Sequence, residues 1–327
     1  MIRNQHAGRR TSGGFSLNVF TPDELEEIHL ATLEVLERAG IYCDDPQALD
    51  IFADGGCQVD RETGMVRFPG HVVEDAIASA PSSFVGCGRE EAYDIVFEPG
   101  RVGFTTFGEG LMVVDPESGE LRQSTRQDVA DTARLTDYLD GIDAYEVAVG
   151  ASDVPPAMAE IENYAAAVGS CRKHICACPI GGWETRRVIE IAAAVAGGRD
   201  ALRERPLVTL GMCPVSPLKL PKECSEVIIE AARAGLPANI LSMAMAGASA
   251  PITLAGTLVT HNAEVLSGIV LSQLTERGAK VFYGSSTTAM DLRLAAASVG
   301  SPECAMINAG VACLARQYRL PSYVAGA

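Results

Sequence analysis

Four places in the chain gather side chains able to do chemistry. The densest is Cys171, His174, Cys176 and Cys178. On a strand the last three share one face, and their types are those of a zinc or iron site. The same pattern fits small thiols lining the inside of a barrel, with His174 at the strand start, far from the rim where barrel enzymes work. We adopt that second reading and expect no metal site. A second group, His261, Asn262 and Glu264, lacks the second histidine of a zinc helix. It reads as a polar trio that packs a helix or faces solvent. The third place, Gly284-Ser-Ser-Thr-Thr288, directly follows an apolar run and offers hydroxyls and backbone amides. The fourth, Met212 to Pro217, stands in the same relation to an earlier run.

One more segment belongs with these. Ser242-Met-Ala-Met-Ala-Gly-Ala-Ser-Ala250 carries no charge and mostly small side chains, which lets a flat ligand or a partner backbone come close. Three uncharged loops after consecutive strand candidates are expected to form one mouth near Met212, Met243 and Ser285. Other chemistry is excluded. Gly108-Glu-Gly110 meets Val113 where a dinucleotide fingerprint needs glycine, and no phosphate loop ending in Gly-Lys-Ser/Thr occurs.

The elements that must position these groups fall into two regions after an arm at residues 1–14. Thr21, Pro22 and Glu24 form a capping box with proline at the first helical position, and Gly40 ends that helix. Cys57–Asp60 and Met65–Phe68 flank Arg61-Glu-Thr-Gly64 as a hairpin. Short strand candidates crowd residues 83–122, so 15–122 reads as an α+β region. From Thr125 the rhythm changes to alternating helices and strands. The strand candidates are Ala144–Val149, His174–Cys178, Leu207–Met212, Asn239–Met243, Lys280–Gly284 and Ser322–Ala325. The longest helix candidate is Ile252–Arg277, with Val259, Ala263, Leu266, Val270 and Leu274 as an apolar stripe.

Such repeated units call for a parallel sheet, and short strands in a long segment favour a β/α (TIM-like) barrel over 123–327. A complete barrel needs eight units. Six strands are countable, or seven if Arg101–Thr105 or Leu111–Asp115 joins, so the barrel reads as incomplete at its C-terminus. On that reading Tyr323 and Val324 stand exposed on an unpaired edge, and the 327-residue form is expected to be poorly active and marginally stable.

The run Pro251 to Leu266, containing His261-Asn-Ala-Glu264, resembles a signature stretch of the trimethylamine methyltransferase family. Gly247 to Pro251, Phe282 to Thr288, Pro302 to Ala309 and the Asp115–Arg122 segment with the Ser-Thr that follows resemble it too, in the same order. The resemblance implies a β/α barrel and a methylated amine as donor. It also implies a cobalt corrinoid carried by a separate cognate protein, in methylamine metabolism or methanogenesis. No cofactor is then bound by the chain itself. A trimethylammonium group needs aromatic faces or diffuse negative potential, for which Phe107, Tyr283, Met243 and Glu109 are the candidates. Family members that use trimethylamine carry pyrrolysine, which the resemblance places just after Ala327, so the catalytic residue is expected there. A stop read at that codon, or a deliberately shortened chain, would give this ending. Other members demethylate quaternary amines such as glycine betaine, which is one alternative. An inactive truncated fragment is another. A barrel lyase is a third, but it would want a lysine at a strand's C-terminal end, and Lys219, Lys222 and Lys280 do not fall there.

Composition sets the outer bounds. The chain has 42 acidic against 26 basic residues, a net charge of −16, which makes nucleic acid an unsuitable partner. Ten cysteines scattered through apolar segments suit a reducing compartment. Residues 1–14 are polar and do not form a secretory leader, and no apolar run reaches about 18 residues. We therefore expect a cytoplasmic protein that uses no membrane, and a homo-oligomer is expected among its partners.

Overall fold

The computed structural model describes residues 9–10 and 18–325. The expected arm over 1–14 lies outside the described residues except Arg9 and Arg10, which pair antiparallel with Val102 and Arg101.

Six parallel strands form the centre: β1 (Ala144–Glu146), β2 (His174–Ala177), β3 (Val208–Met212), β4 (Ala238–Ser242), β5 (Val281–Ser285) and β6 (Ser322–Val324), neighbours in that order. β3 and β5 are buried throughout, as expected for parallel strands covered on both faces. Laid flat, β1 and β6 would stand about 24 Å apart, at about 4.8 Å per strand. Yet the Tyr323 hydroxyl donates to the Glu146 carboxylate and lies 2.7 Å from Thr105 Oγ1. The sheet is therefore curled into a half-barrel whose edge strands meet across its interior. A seventh parallel segment flanks β1, through Thr105 opposite Ala144 and Gly110 opposite Val149. It begins at the last residue of the expected stretch Arg101–Thr105 and ends just before Leu111–Asp115. Tyr323 itself does not stand exposed on an edge, because the curl turns its ring inward.

Helices follow the strands and cover the outside. Before β1 come α1 (Pro22–Arg38), α2 (Pro46–Asp54), α3 (Gly70–Ser79) and α4 (Arg126–Tyr138). After it come α5 (Ala159–Ser170), α6 (Gly181–Ala196), α7 (Arg199–Glu204), α8 (Lys222–Ala234), α9 (Leu254–Thr275) and α10 (Pro302–Gln317). The capping box of α1 is present, with the Thr21 amide 2.7 Å from Glu24 Oε2 and the Glu24 amide 3.3 Å from Thr21 Oγ1. Gly197 and Gly235 end α6 and α8 at φ 92° and 73°, a conformation that costs glycine nothing.

The α+β region is not a separate layer. Ile41–Cys43 and Met65–Arg67 pair antiparallel, and Lys219–Leu220, from the loop after β3, adds to that sheet beside Ile41–Cys43. α1 and α3 pack on α9, and one apolar core runs through both regions. α9 is long and apolar enough to cross a membrane, but 72% of its apolar stretch is buried inside the fold. Gly268 lets it lie close to β4: a methyl there would come within 2.8 Å of Ile240.

Candidate active site

Strand alternation decides what fills the half-barrel. Register places Cys176 beside Thr209, Gly211 beside Asn239, Asn239 beside Phe282, and Gly284 beside Tyr323. These face the interior. A Cβ on Gly211 would lie 2.8 Å from Cys178 Sγ, and one on Gly284 would lie 2.3 Å from Asn239 Oδ1. The two glycines thus make room for the thiol and the amide.

The floor is aromatic. Phe84–Gly86 and Ile95–Phe97 form a hairpin whose rings plug the N-terminal end, Phe97 at 4.7 Å and Phe84 at 5.0 Å from Phe282. His174 belongs to this floor. Its Nε2 is 2.8 Å from Thr209 Oγ1 and its Nδ1 is 3.2 Å from the Cys87 carbonyl. Burial pulls it down to about 4, so it stays neutral. His174, Cys176 and Cys178 line the interior of the curled sheet.

Above the floor the interior turns acidic. Glu146, at the end of β1, accepts from Tyr323, and burial raises its carboxyl. At the rim, Asn163 Nδ2 on α5 lies 3.0 Å from Glu109 Oε1 and 3.2 Å from Glu160 Oε1, while its Oδ1 accepts from the Ala151 amide at 2.9 Å. The two carboxyl groups lie close enough to share a proton. Burial, then the negative charge of Glu109, pushes Glu160 up to about 8, and burial raises Glu109 too. Among the described residues no lysine or arginine bonds to Glu109, Glu146 or Glu160. Cys178 and Cys213 are exposed at the same mouth. Burial within the curled wall, then the nearby Glu146, holds Cys178 well above its usual value and Cys213 at about 11. They therefore stay thiols, not thiolate nucleophiles. The arrangement offers negative potential and a shared proton, with no counter-cation among the described residues, which suits a small organic cation.

The family model described as trimethylamine methyltransferase (MTTB) matches residues 4–327. The chain belongs to this family. It is 52% identical over 320 residues to trimethylamine methyltransferase MttB of Desulfitobacterium hafniense, covering 98% of this chain and 64% of that protein. It is 45% identical over 329 residues to MttB of Methanosarcina thermophila, covering 99% and 68%. The chain thus spans about two-thirds of the length of these family members. Among solved structures, the monomethylamine methyltransferase of Methanosarcina barkeri superposes with a TM-score of 0.53 at 14% identity, over 93% of this chain and 65% of that one. That likeness concerns the fold alone.

The site residues expected from sequence divide into two sets. Glu109 lies at the rim in the carboxyl pair, Met243 is half-exposed at the end of β4, and Phe107 is exposed on the segment beside β1. Met212, Tyr283 and Ser285, expected at the pocket or the barrel mouth, sit at the mouth end of the sheet but on its outer face, so they do not line the pocket. Met212 packs in the apolar core. The Tyr283 hydroxyl donates to Asn262 Oδ1 at 2.6 Å, and Ser285 donates to Asn308 Oδ1 at 2.9 Å. Each follows an inward-facing neighbour, Gly211, Phe282 or Gly284, so alternation points it at the helices. Glu146, Glu160 and Asn163 were not among the expected site residues, and Tyr323 was expected only on an exposed edge. Glu146 ends a strand candidate, and that signal marks a rim residue. Glu160 carries no such mark, because on sequence it is one acid of an ordinary helix start. The His261–Glu264 trio is fully buried in α9, as helix packing.

Proposed function

We propose that the protein is a trimethylamine methyltransferase, moving a methyl group from trimethylamine to the cobalt of a corrinoid held by a separate protein. The observation that carries this reading is the mouth itself, three carboxyl groups with no basic partner among the described residues, in a chain that matches the family over residues 4–327. Trimethylammonium has one positive charge and one N–H. Glu146, oriented by Tyr323, and the Glu109–Glu160 pair supply the potential that holds it, and the pair's remaining lone pairs accept the N–H. Phe97 and Phe282 close the floor against water. When the partner docks, its reduced cobalt supplies the nucleophile. The rim fits such a partner: Ile180, Trp183, Val215, Met243, Ile252 and Leu294 are all exposed on loops or helix starts after consecutive strands, an apolar ring around a polar centre. The half-barrel is consistent with part of a closed TIM-like barrel.

Glycine betaine is disfavoured by the same groups, because its carboxylate would enter a mouth already lined by three carboxyl groups, with no cation beside them among the described residues. The lyase reading lacks its lysine. Lys280 Nζ donates to the Gly235 carbonyl at 2.8 Å below β5, and Lys173 Nζ donates to the carbonyls of Thr136, Leu139 and Ile142. The test is methylation of the cognate corrinoid protein by the full protein, followed by the cobalt absorption spectrum. Trimethylamine should serve as donor and glycine betaine should not; the reverse preference would reject the reading.

A further inference from the structure

The polar side chains of α9 face away from the pocket yet reach every loop that frames its far wall. Glu264 is 1% exposed. It accepts from Ser216 Oγ at 2.8 Å, the Leu218 amide at 3.0 Å and Ser242 Oγ at 2.6 Å. The first two lie in the loop after β3, and Ser242 is the last residue of β4. One turn earlier, His261 Nδ1 is 2.8 Å from Thr287 Oγ1, in the loop after β5. That hydroxyl donates in turn to the Ser242 carbonyl at 3.2 Å. The amides of Ser286 and Thr288 bond to the carbonyls of Ser242 and Ala244 at 2.8 and 3.1 Å, lacing the two loops together.

We propose that Glu264 is a positioning residue for the amine pocket: through Ser216, Leu218 and Ser242 it sets where the loops after β3 and β4 hold Cys213 and Met243 at the mouth. The inference rests on the reading of that mouth as an amine site. Packing by itself gives these loops little definition, since residues 242–250 are small and uncharged apart from two methionines, and Val215 and Met243 are half-exposed. A single carboxylate using both oxygens fixes two loops to one rigid helix. Three donors on one charged acceptor hold a tighter geometry than hydroxyls bonded to one another. Glu264 touches no reacting group, so its effect passes entirely through the loops.

The test compares three variants of the full chain by calorimetric titration with trimethylammonium chloride and by thermal unfolding. Glu264→Gln should keep affinity within about threefold, because the serine hydroxyls rotate to accept from the new amide. Glu264→Leu should lose at least about tenfold, the scale of one good hydrogen bond to a charged group. The triple variant Ser216→Ala, Ser242→Ala, Glu264→Leu removes the stranded hydroxyls. It should recover melting temperature relative to Glu264→Leu without recovering affinity. It also provides a folded comparison if Glu264→Leu does not fold. Recovery of both together would make Glu264 merely structural and overturn the proposal, as would wild-type affinity in folded Glu264→Leu. A wild-type chain that binds no trimethylammonium would instead sink the amine reading, and this inference with it.

Discussion

Cation binding at this mouth should release a proton, and the structure sets the size of the effect. Glu160 is held at about 8, so at pH 7 it is about nine-tenths protonated. A bound ammonium is stabilised by the carboxylate and not by the acid, so binding must ionise the pair. One pKa unit corresponds to about 1.4 kcal/mol, hence about a tenfold weaker affinity at pH 7 than on the plateau above 8. The sign is fixed by the direction of the shift: affinity rises with pH up to about 8 and then levels. Tetramethylammonium is the better probe because it has no proton of its own. Titration calorimetry from pH 6 to 9, in two buffers of different ionisation enthalpy, reads both quantities. The dissociation constant should fall about ninefold from pH 6 to 7 and about fivefold from 7 to 8, with nearly one proton released at pH 7. Glu160→Gln should flatten the profile and abolish the release. Binding that is independent of pH and exchanges no proton would refute the shared-proton geometry.

The same group makes a prediction for stability without ligand. Its folded value lies above the ordinary 4.5, so the folded state binds the proton more tightly than the unfolded chain. Stability should fall as pH rises from about 4.5 to about 8, by up to about 1.4 kcal/mol per unit from this residue, and change little beyond; urea midpoints that climb over this window would contradict it. Tyr323→Phe removes the hydroxyl that joins β6 to β1 and leaves Glu146 without that donor. A loss of about 1.5–3 kcal/mol is expected in chemical denaturation, and an unchanged midpoint would mean that the edges are held by other contacts. Gly284→Ala places a methyl 2.3 Å from Asn239 Oδ1 and 2.7 Å from the Ile240 carbonyl, at a cost of about 1–3 kcal/mol. Gly169→Ala, in α5 with no atom within 4 Å, should instead be neutral or stabilising by up to about 1 kcal/mol. Melting curves that rank the two the other way would refute the packing argument.

Local chemistry made much of the architecture readable. Thr21, Pro22 and Glu24 form the start of α1 through contacts within one turn, and Gly197 and Gly235 end their helices through their own backbone freedom. The alternation of apolar runs and helices from Thr125 onward likewise determined the parallel sheet. The interior placement of His174, Cys176 and Cys178 followed from period-two spacing on a strand that starts where expected. Some elements were less visible. The strands Met245–Ala246 and Thr288–Asp291 pair only because the loops after β4 and β5 are brought side by side, and no residue in either announces a partner 43 positions away.

The site divides along the same line. Sequence by itself determined the set of loops at the mouth, because parallel strands put all their following loops at one end. Tertiary structure decided which side chains enter it. A one-residue difference in phase sends Gly284 and Phe282 inward while Tyr283 and Ser285 turn to the helices. Curling of the sheet carries Tyr323 from one edge to Glu146 on the other, and the packing of α5 beside the segment that flanks β1 brings Glu160 to Glu109 across 51 residues. Carboxyl groups so far apart in the chain share a proton only when folding brings them together and removes them from water. That proximity depends on the curl of the whole sheet, and no short stretch of the chain encodes it.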